Sequence, residues 1–317
     1  MKKRIFFAAA VAALSLVGCS KNNVESTGEG GTARDEMVQL NVRLPETITK
    51  VTGTSSDAKV NDLQIFVFSR NGALETSATG TGASLSLTCT SGEKTVIALV
   101  NAPKENGVTN ASALRAKTVK LEDCSPSDMV MAGEVTVNLK SSTTVTIPVT
   151  RLAAKVAISG IKTDFVLDQH KSLPFKVKSI YLINVAGDKA YFDANTPSLW
   201  YNKSKYVAAT SPSFLYDAVA SGQITNGATY SKEHFFYCYP NNSTAIKTRL
   251  VVETEIDGYV YYYPLTLESV NSNTAYTYNL TITRLGSDSP DVPVEDGTIQ
   301  FTVTVEDWIE QDINEIF

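Results

Sequence analysis

Met37–Leu44 sorts its side chains onto two faces without a break. Val38, Leu40, Val42 and Leu44 fall on one face, and Met37, Gln39, Asn41 and Arg43 on the other. This period of two is that of a half-buried β-strand. Val135–Leu139, Val145–Val149, Tyr276–Thr283 and Thr298–Val305 alternate in the same way, and Lys155–Ile161, Val177–Val185 and His234–Tyr239 are strand-like. Leu63–Phe68 and Thr95–Val100 are denser apolar runs, closed by Asn71-Gly72 and Asn101-Ala102-Pro103. Asp257-Gly258 between Arg249–Ile256 and Tyr259–Leu267 is a two-residue hairpin signal. Ala111–Lys117 reads as a short helix and Phe214–Ala220 as a helical turn. Short strands divided by turn residues predict an all-β chain of two β-sandwich domains with few short helices, over 37–150 and 151–317.

A length of 317 residues accommodates two domains, and 43% hydrophobic with 19% charged residues is neither a disordered nor a membrane-spanning composition. The formal charge is −5, and loss of Lys2, Lys3 and Arg4 with a leader makes it more negative. An acidic surface argues against nucleic acid as a partner. His170 and His234 are the only histidines and lie far apart, which disfavours histidine catalysis or a His-rich metal site. No phosphate-binding loop, GxSxG, HExxH or CxxC motif occurs, so no cofactor, metal or enzymatic activity is expected. Glu253 and Glu255 read as solvated strand residues, and Tyr259, Tyr261, Tyr262 and Tyr263 as core on one side and surface on the other, with a sugar-stacking platform as the alternative. Cys238 reads as a buried thiol. Spacing leaves a pairing of Cys89 with Cys124 open.

Lys2-Lys3-Arg4 precedes an apolar run, Ile5–Val17, too short to span a bilayer, and Leu16-Val17-Gly18-Cys19 has the form of a bacterial lipobox. Residues 1–19 are therefore expected to be a lipoprotein signal peptide, with lipid on Cys19 of the exported chain giving attachment to the outer membrane. Residues 20–36 are polar and Gly-bearing and read as a flexible tether.

Taken in order, these segments resemble the FimA/Mfa1-like major fimbrillins of Bacteroides-type bacteria. The resemblance is carried by the lipobox, the Val38–Leu44 strand, TKVTG at 49–53 and KVNDLQIFVF at 59–68. It continues through CTSGEKTVIALVNAP at 89–103, RLAAKVAISGI at 151–161, and the closing YTYNLTITRLG strand, loop and strand ending in Asp307-Trp308. It implies transthyretin-like sandwiches and a structural subunit of cell-surface fimbriae that supports adhesion and biofilm formation. In that scheme a trypsin-like protease removes the first strand, and the C-terminal segment of a neighbouring copy fills the groove. Other copies and minor fimbrial subunits are then the partners.

The cleavage position best matches Lys50-Val51, within a polar stretch after Pro45, and the second choice is Arg43-Leu44, which would divide the strand. The donor segment is expected at 309–317, with Ile309, Ile313 and Phe317 on one face. A tip or anchor subunit, or a surface lipoprotein binding glycans through its tyrosine strands, are the alternatives. Exchange requires that the first strand leave without collapse. A strand threaded through its sheet, flanked on both edges and impossible to remove, would rule it out.

Overall fold

The computed structural model describes residues 36–45, 59–294 and 297–307. The first sandwich begins with β1 (Met37–Arg43), β2 (Leu63–Ser69), β3 (Leu74–Gly80), β4 (Ser84–Thr90) and β5 (Gly92–Val100). A helix, α1 (Ala111–Ala116), follows, capped by Asn110, whose Oδ1 accepts from the Ala113 N–H at 2.8 Å. Then come β6 (Thr118–Lys120), β7 (Met131–Leu139), β8 (Thr143–Thr146) and β9 (Thr150–Arg151). Five of these strands form a sheet in the order β3-β2-β5-β7-β9, and three form a second, β4-β1-β8.

The five-stranded sheet is covered on both faces, which explains the dense apolar runs. Leu63, Ile65 and Val67 of β2, with Val96, Ala98 and Val100 of β5, pack toward the stripe of β1. Phe66, Phe68, Ile97 and Leu99 enter the core shared with α1 and the later strands. The alternating β1 has only one covered face, and its alternation shows it.

The second sandwich contains β10 (Ala154–Thr163), a single-turn helix α2 (Asp168–Lys171), β11 (Phe175–Ile183), β12 (Val185–Ala186), β13 (Asp188–Ala190) and β14 (Trp200–Tyr201). It continues with β15 (Tyr216–Ala218), β16 (Thr229–Tyr230), β17 (His234–Cys238), β18 (Arg249–Ile256), β19 (Tyr259–Thr266), β20 (Thr274–Ile282) and β21 (Ile299–Asp307). One sheet runs β16-β10-β20-β21, with β17 also on β10, and the other runs β15-β11-β18-β19. Asp257 and Gly258 both take positive φ, at 50° and 82°, as the β18–β19 hairpin turn requires. Ser213–Leu215 is a 3₁₀ turn that passes into β15, where the sequence suggested helix over a longer stretch.

The four large sheets divide between residues 151 and 154. Packing does not divide there. β6 pairs with β13 across that point, and one core cluster holds Phe68 and Leu114 together with Phe236 and Leu250. The described residues form one compact unit.

Candidate functional site: the β1 slot and the β21 edge

β1 is central in its sheet. It runs antiparallel to β4, with Val38 opposite Cys89, Leu40 opposite Leu87 and Val42 opposite Leu85. On its other edge it runs parallel to β8, with Val42 opposite Val145. Leu44 N–H donates to Ala83 O at 2.9 Å, and Arg43 O accepts from Ile147 N–H at 3.0 Å. Val38, Leu40, Val42 and Leu44 are all buried, Leu40 completely. They fill the space between the two sheets of the first sandwich with Val67, Val96, Leu87 and Ile147. The strand is therefore flanked on both edges, which is the arrangement that tests exchange most severely.

One end of this slot carries a buried ion pair. Lys94 Nζ lies 2.7 Å from Glu75 Oε2 and donates to Thr90 Oγ1 at 2.7 Å. Burial pushes the Glu75 carboxyl up, but hydrogen bonds from Lys94 and from the Thr90 backbone outweigh it and leave the group below its ordinary value.

β21 is the opposite case. It pairs with β20 along its length and has no strand on its far edge among the described residues. Phe301, Val303 and Val305 stand opposite Leu280, Tyr278 and Tyr276, whose side chains are core. The three therefore lie on the core-facing side of the sheet, yet they are 51%, 41% and 55% exposed, because the stripe overhangs the sandwich. Sequence reading recognised β21 as a strand but missed it as an apolar overhang, since periodicity reports the face and not what covers it.

Cys19, Lys50, Val51, Ile309, Ile313 and Phe317 lie outside the described residues. Arg43-Leu44 is within them and is a poor cleavage site. The bond is bracketed by hydrogen bonds to both neighbouring strands, Arg43 Nε donates to Thr146 Oγ1 at 2.9 Å, and Leu44 is buried. A protease needs that backbone free.

Cys89 and Cys124 are free thiols, not a disulfide. Cys89 belongs to the slot core, and Cys124 to the core on the other face of the five-stranded sheet, 3.4 Å from the Tyr239 hydroxyl. Cys238 is likewise free, and its complete burial pushes the thiol up to about 12.

The tyrosine strand forms no single platform. Tyr263 is fully buried and donates to Arg284 O at 3.0 Å, Tyr261 packs partly on the same core, and Tyr259 is exposed. Tyr262 faces the other way, beside Tyr181, Tyr206 and Tyr216. Glu253 accepts from Ser179 Oγ, and Glu255 pairs with Lys176 and Lys178. His234 is buried, with Nδ1 2.5 Å from Asp217 Oδ2 and Nε2 2.8 Å from the Tyr230 hydroxyl, and so ties β17 to β15 of the opposite sheet. His170 lies on α2.

Comparison with protein families matches residues 100–308 to a fimbrillin-like model and residues 37–160 to the major fimbrial subunit protein FimA. The curated proteins gave no match. Among solved structures, a candidate cell adhesion protein from Bacteroides eggerthii superimposes with a TM-score of 0.70 at 21% identity, covering 88% of this chain and 98% of that one. A fimbrilin from Porphyromonas gingivalis gives 0.63 at 16% identity, covering 86% and 98%. A tip fimbrial protein from the same organism, truncated at its C-terminus, gives 0.52 at 13%, covering 86% and 100%. Two β-sandwiches with these matches define a structural, non-enzymatic protein of cell-surface fimbriae. The chain belongs to the fimbrillin-like family.

Proposed function

We propose that this protein is a shaft subunit of surface fimbriae that supports adhesion and biofilm formation. It is exported as a lipoprotein on Cys19, and a trypsin-like protease cuts at Lys50-Val51. The chain then polymerises by exchanging β1 for the C-terminal strand of the next copy. One observation carries the reading. The stripe Val38, Leu40, Val42, Leu44 fills the slot, and Ile299, Phe301, Val303, Val305 repeats the same spacing on a strand whose last three apolar side chains are exposed. The donor thus begins within β21 and continues toward Ile309, Ile313 and Phe317.

Among the described residues β1 is the only strand with which β4 and β8 pair, so its removal leaves both flanks held by their chain connections and by side-chain packing on the five-stranded sheet. β4 is joined to β3 through Thr81–Ala83 and to β5 through Ser91, and β8 is joined to β7 through Lys140–Ser142, short connections that keep both strands beside the slot when β1 leaves. Loss of β1 then opens a slot with two unpaired edges and an apolar floor. Four aliphatic side chains represent roughly 6–12 kcal/mol of burial before ordering costs. An incoming β21 gives up one ladder, on β20, and gains two, on β4 and β8, while covering its own exposed stripe. The polymer therefore needs no chemical energy source.

An anchor subunit would keep β1 and its lipid, and a tip subunit would donate no strand. The exposed β21 stripe favours a donor. Trimming the purified chain with trypsin-like protease should convert monomer into a ladder of oligomers, and deletion of 299–317 should stop it. Trimmed protein that stays monomeric at high concentration would overturn the reading, and residues 20–50 found intact in filaments would assign the anchor position instead.

A further inference from the structure

We propose that the cleft between the β13–β14 loop and the β17–β18 loop binds a neutral saccharide of one or two pyranose rings. The cavity is about 550 Å³, within the range of small-ligand sites. Trp200 and Phe192 contribute half-buried rings to its lining, each supported by the core behind it. An aromatic face carries partial negative charge and accepts the polarised C–H face of a sugar ring.

The rim supplies the complementary polar groups. Thr196, Asn242 and Thr244 line the cleft, and none of the three side chains makes a hydrogen bond to another described residue. Hydroxyl and amide groups both donate and accept, as sugar hydroxyls require. The lining has one cation and one carboxylate. Lys189 is held in place, its Nζ donating to Ala190 O at 2.6 Å and Asp193 O at 3.1 Å, and the Asp193 side chain is at the exposed rim. The balance gives no strong field for a charged ligand.

Both loops are pinned from beneath by a buried polar side chain. Asp188 accepts from the Ser198 and Leu199 N–H groups, each at 2.8 Å, and from Ser198 Oγ at 2.9 Å. Asn241 donates to Ile246 O and Thr248 Oγ1, each at 2.9 Å, and accepts from Ser243 N–H at 3.0 Å. The walls are therefore formed before a ligand arrives, which lowers the ordering cost of binding. The cleft shares no lining residue with β1 or β21.

The test uses the full mature chain on an array of neutral oligosaccharides built from hexoses and N-acetylhexosamines, with titration calorimetry of the strongest ligand found. Binding should be seen, weakened at least tenfold by Trp200→Ala and at least fivefold by the double variant Asn242→Ala/Thr244→Ala. The double variant changes exposed rim side chains and keeps the test valid if Trp200→Ala misfolds. Both variants should still polymerise after trimming, which separates this site from the assembly reading. No neutral saccharide bound, binding confined to acidic glycans or peptides, or binding unchanged in the folded variants would overturn the proposal.

Discussion

Leu40 on β1 lies directly opposite Leu87 on β4 and, across its other edge, opposite Thr143 on β8. Leu40 is completely buried, so Leu40→Ala removes a side chain that no neighbour replaces. Denaturant unfolding should show a loss of about 2–5 kcal/mol. Met37→Ala on the exposed face of the same strand should change stability by no more than about 0.5 kcal/mol. Equal effects at the two positions would contradict the packing of β1.

Phe301 and Val305 make the reverse prediction. Both are exposed in the isolated subunit, so Phe301→Asp and Val305→Asp should leave its unfolding midpoint nearly unchanged. In a dry slot the introduced carboxylate loses its water without gaining a partner. Gel ladders after protease trimming should therefore disappear in both variants. Ladders as long as those of the parent chain would move the donor out of β21.

Proteolysis discriminates the two basic cleavage positions. N-terminal sequencing after mild trypsin treatment of folded protein should read from Val51, and Lys50→Gln should suppress that product. Cleavage after Arg43 should appear only once the protein is unfolded, because that bond is held by strands on both sides. A native product beginning at Leu44 would show that β1 frays from its end.

Glu75 gives a pH dependence with a defined sign. Its folded value lies below the ordinary carboxylate value of 4.5, so the unfolded chain takes up the proton first. Its contribution to stability is present above about pH 4.5 and is lost as pH falls through the lower folded value. Glu75→Gln should lower stability at neutral pH and flatten the acid limb of the stability curve. An unchanged acid limb would mean that Glu75 titrates alike in both states.

Cys89, Cys124 and Cys238 should resist a thiol reagent in the native protein and react together on denaturation, because burial raises the pKa of each. Mobility on non-reducing gels should match that on reducing gels. A shift removed by Cys89→Ser would show a pairing absent from the fold.

The strands with strong apolar patterning were legible in the sequence, and β1, β2, β5, β20 and β21 fall where the residues place them. β3, LETSATG, was not, because an edge strand with small polar side chains has almost no periodicity to read. β4 hides behind Ser and Thr in SLSLTCT, with only Leu87 and Cys89 buried. The parallel pairing of β1 with β8 joins residues about a hundred positions apart, and no local pattern reports it. The saccharide cleft was equally silent. Its loops are defined by Asp188 and Asn241 beneath them, and a lone buried Asp or Asn in sequence looks like any other turn residue.

The bracketing of β1 by two neighbours also has a mechanical consequence. In the proposed exchange a replacement strand in that position is paired with β4 along its whole length and with β8 over the span of Leu40–Arg43, and tension along the fibre pulls it lengthwise. Every rung of both ladders then bears the load together, and none can be peeled open ahead of the others. A joint of this kind yields only when an entire strand slips at once.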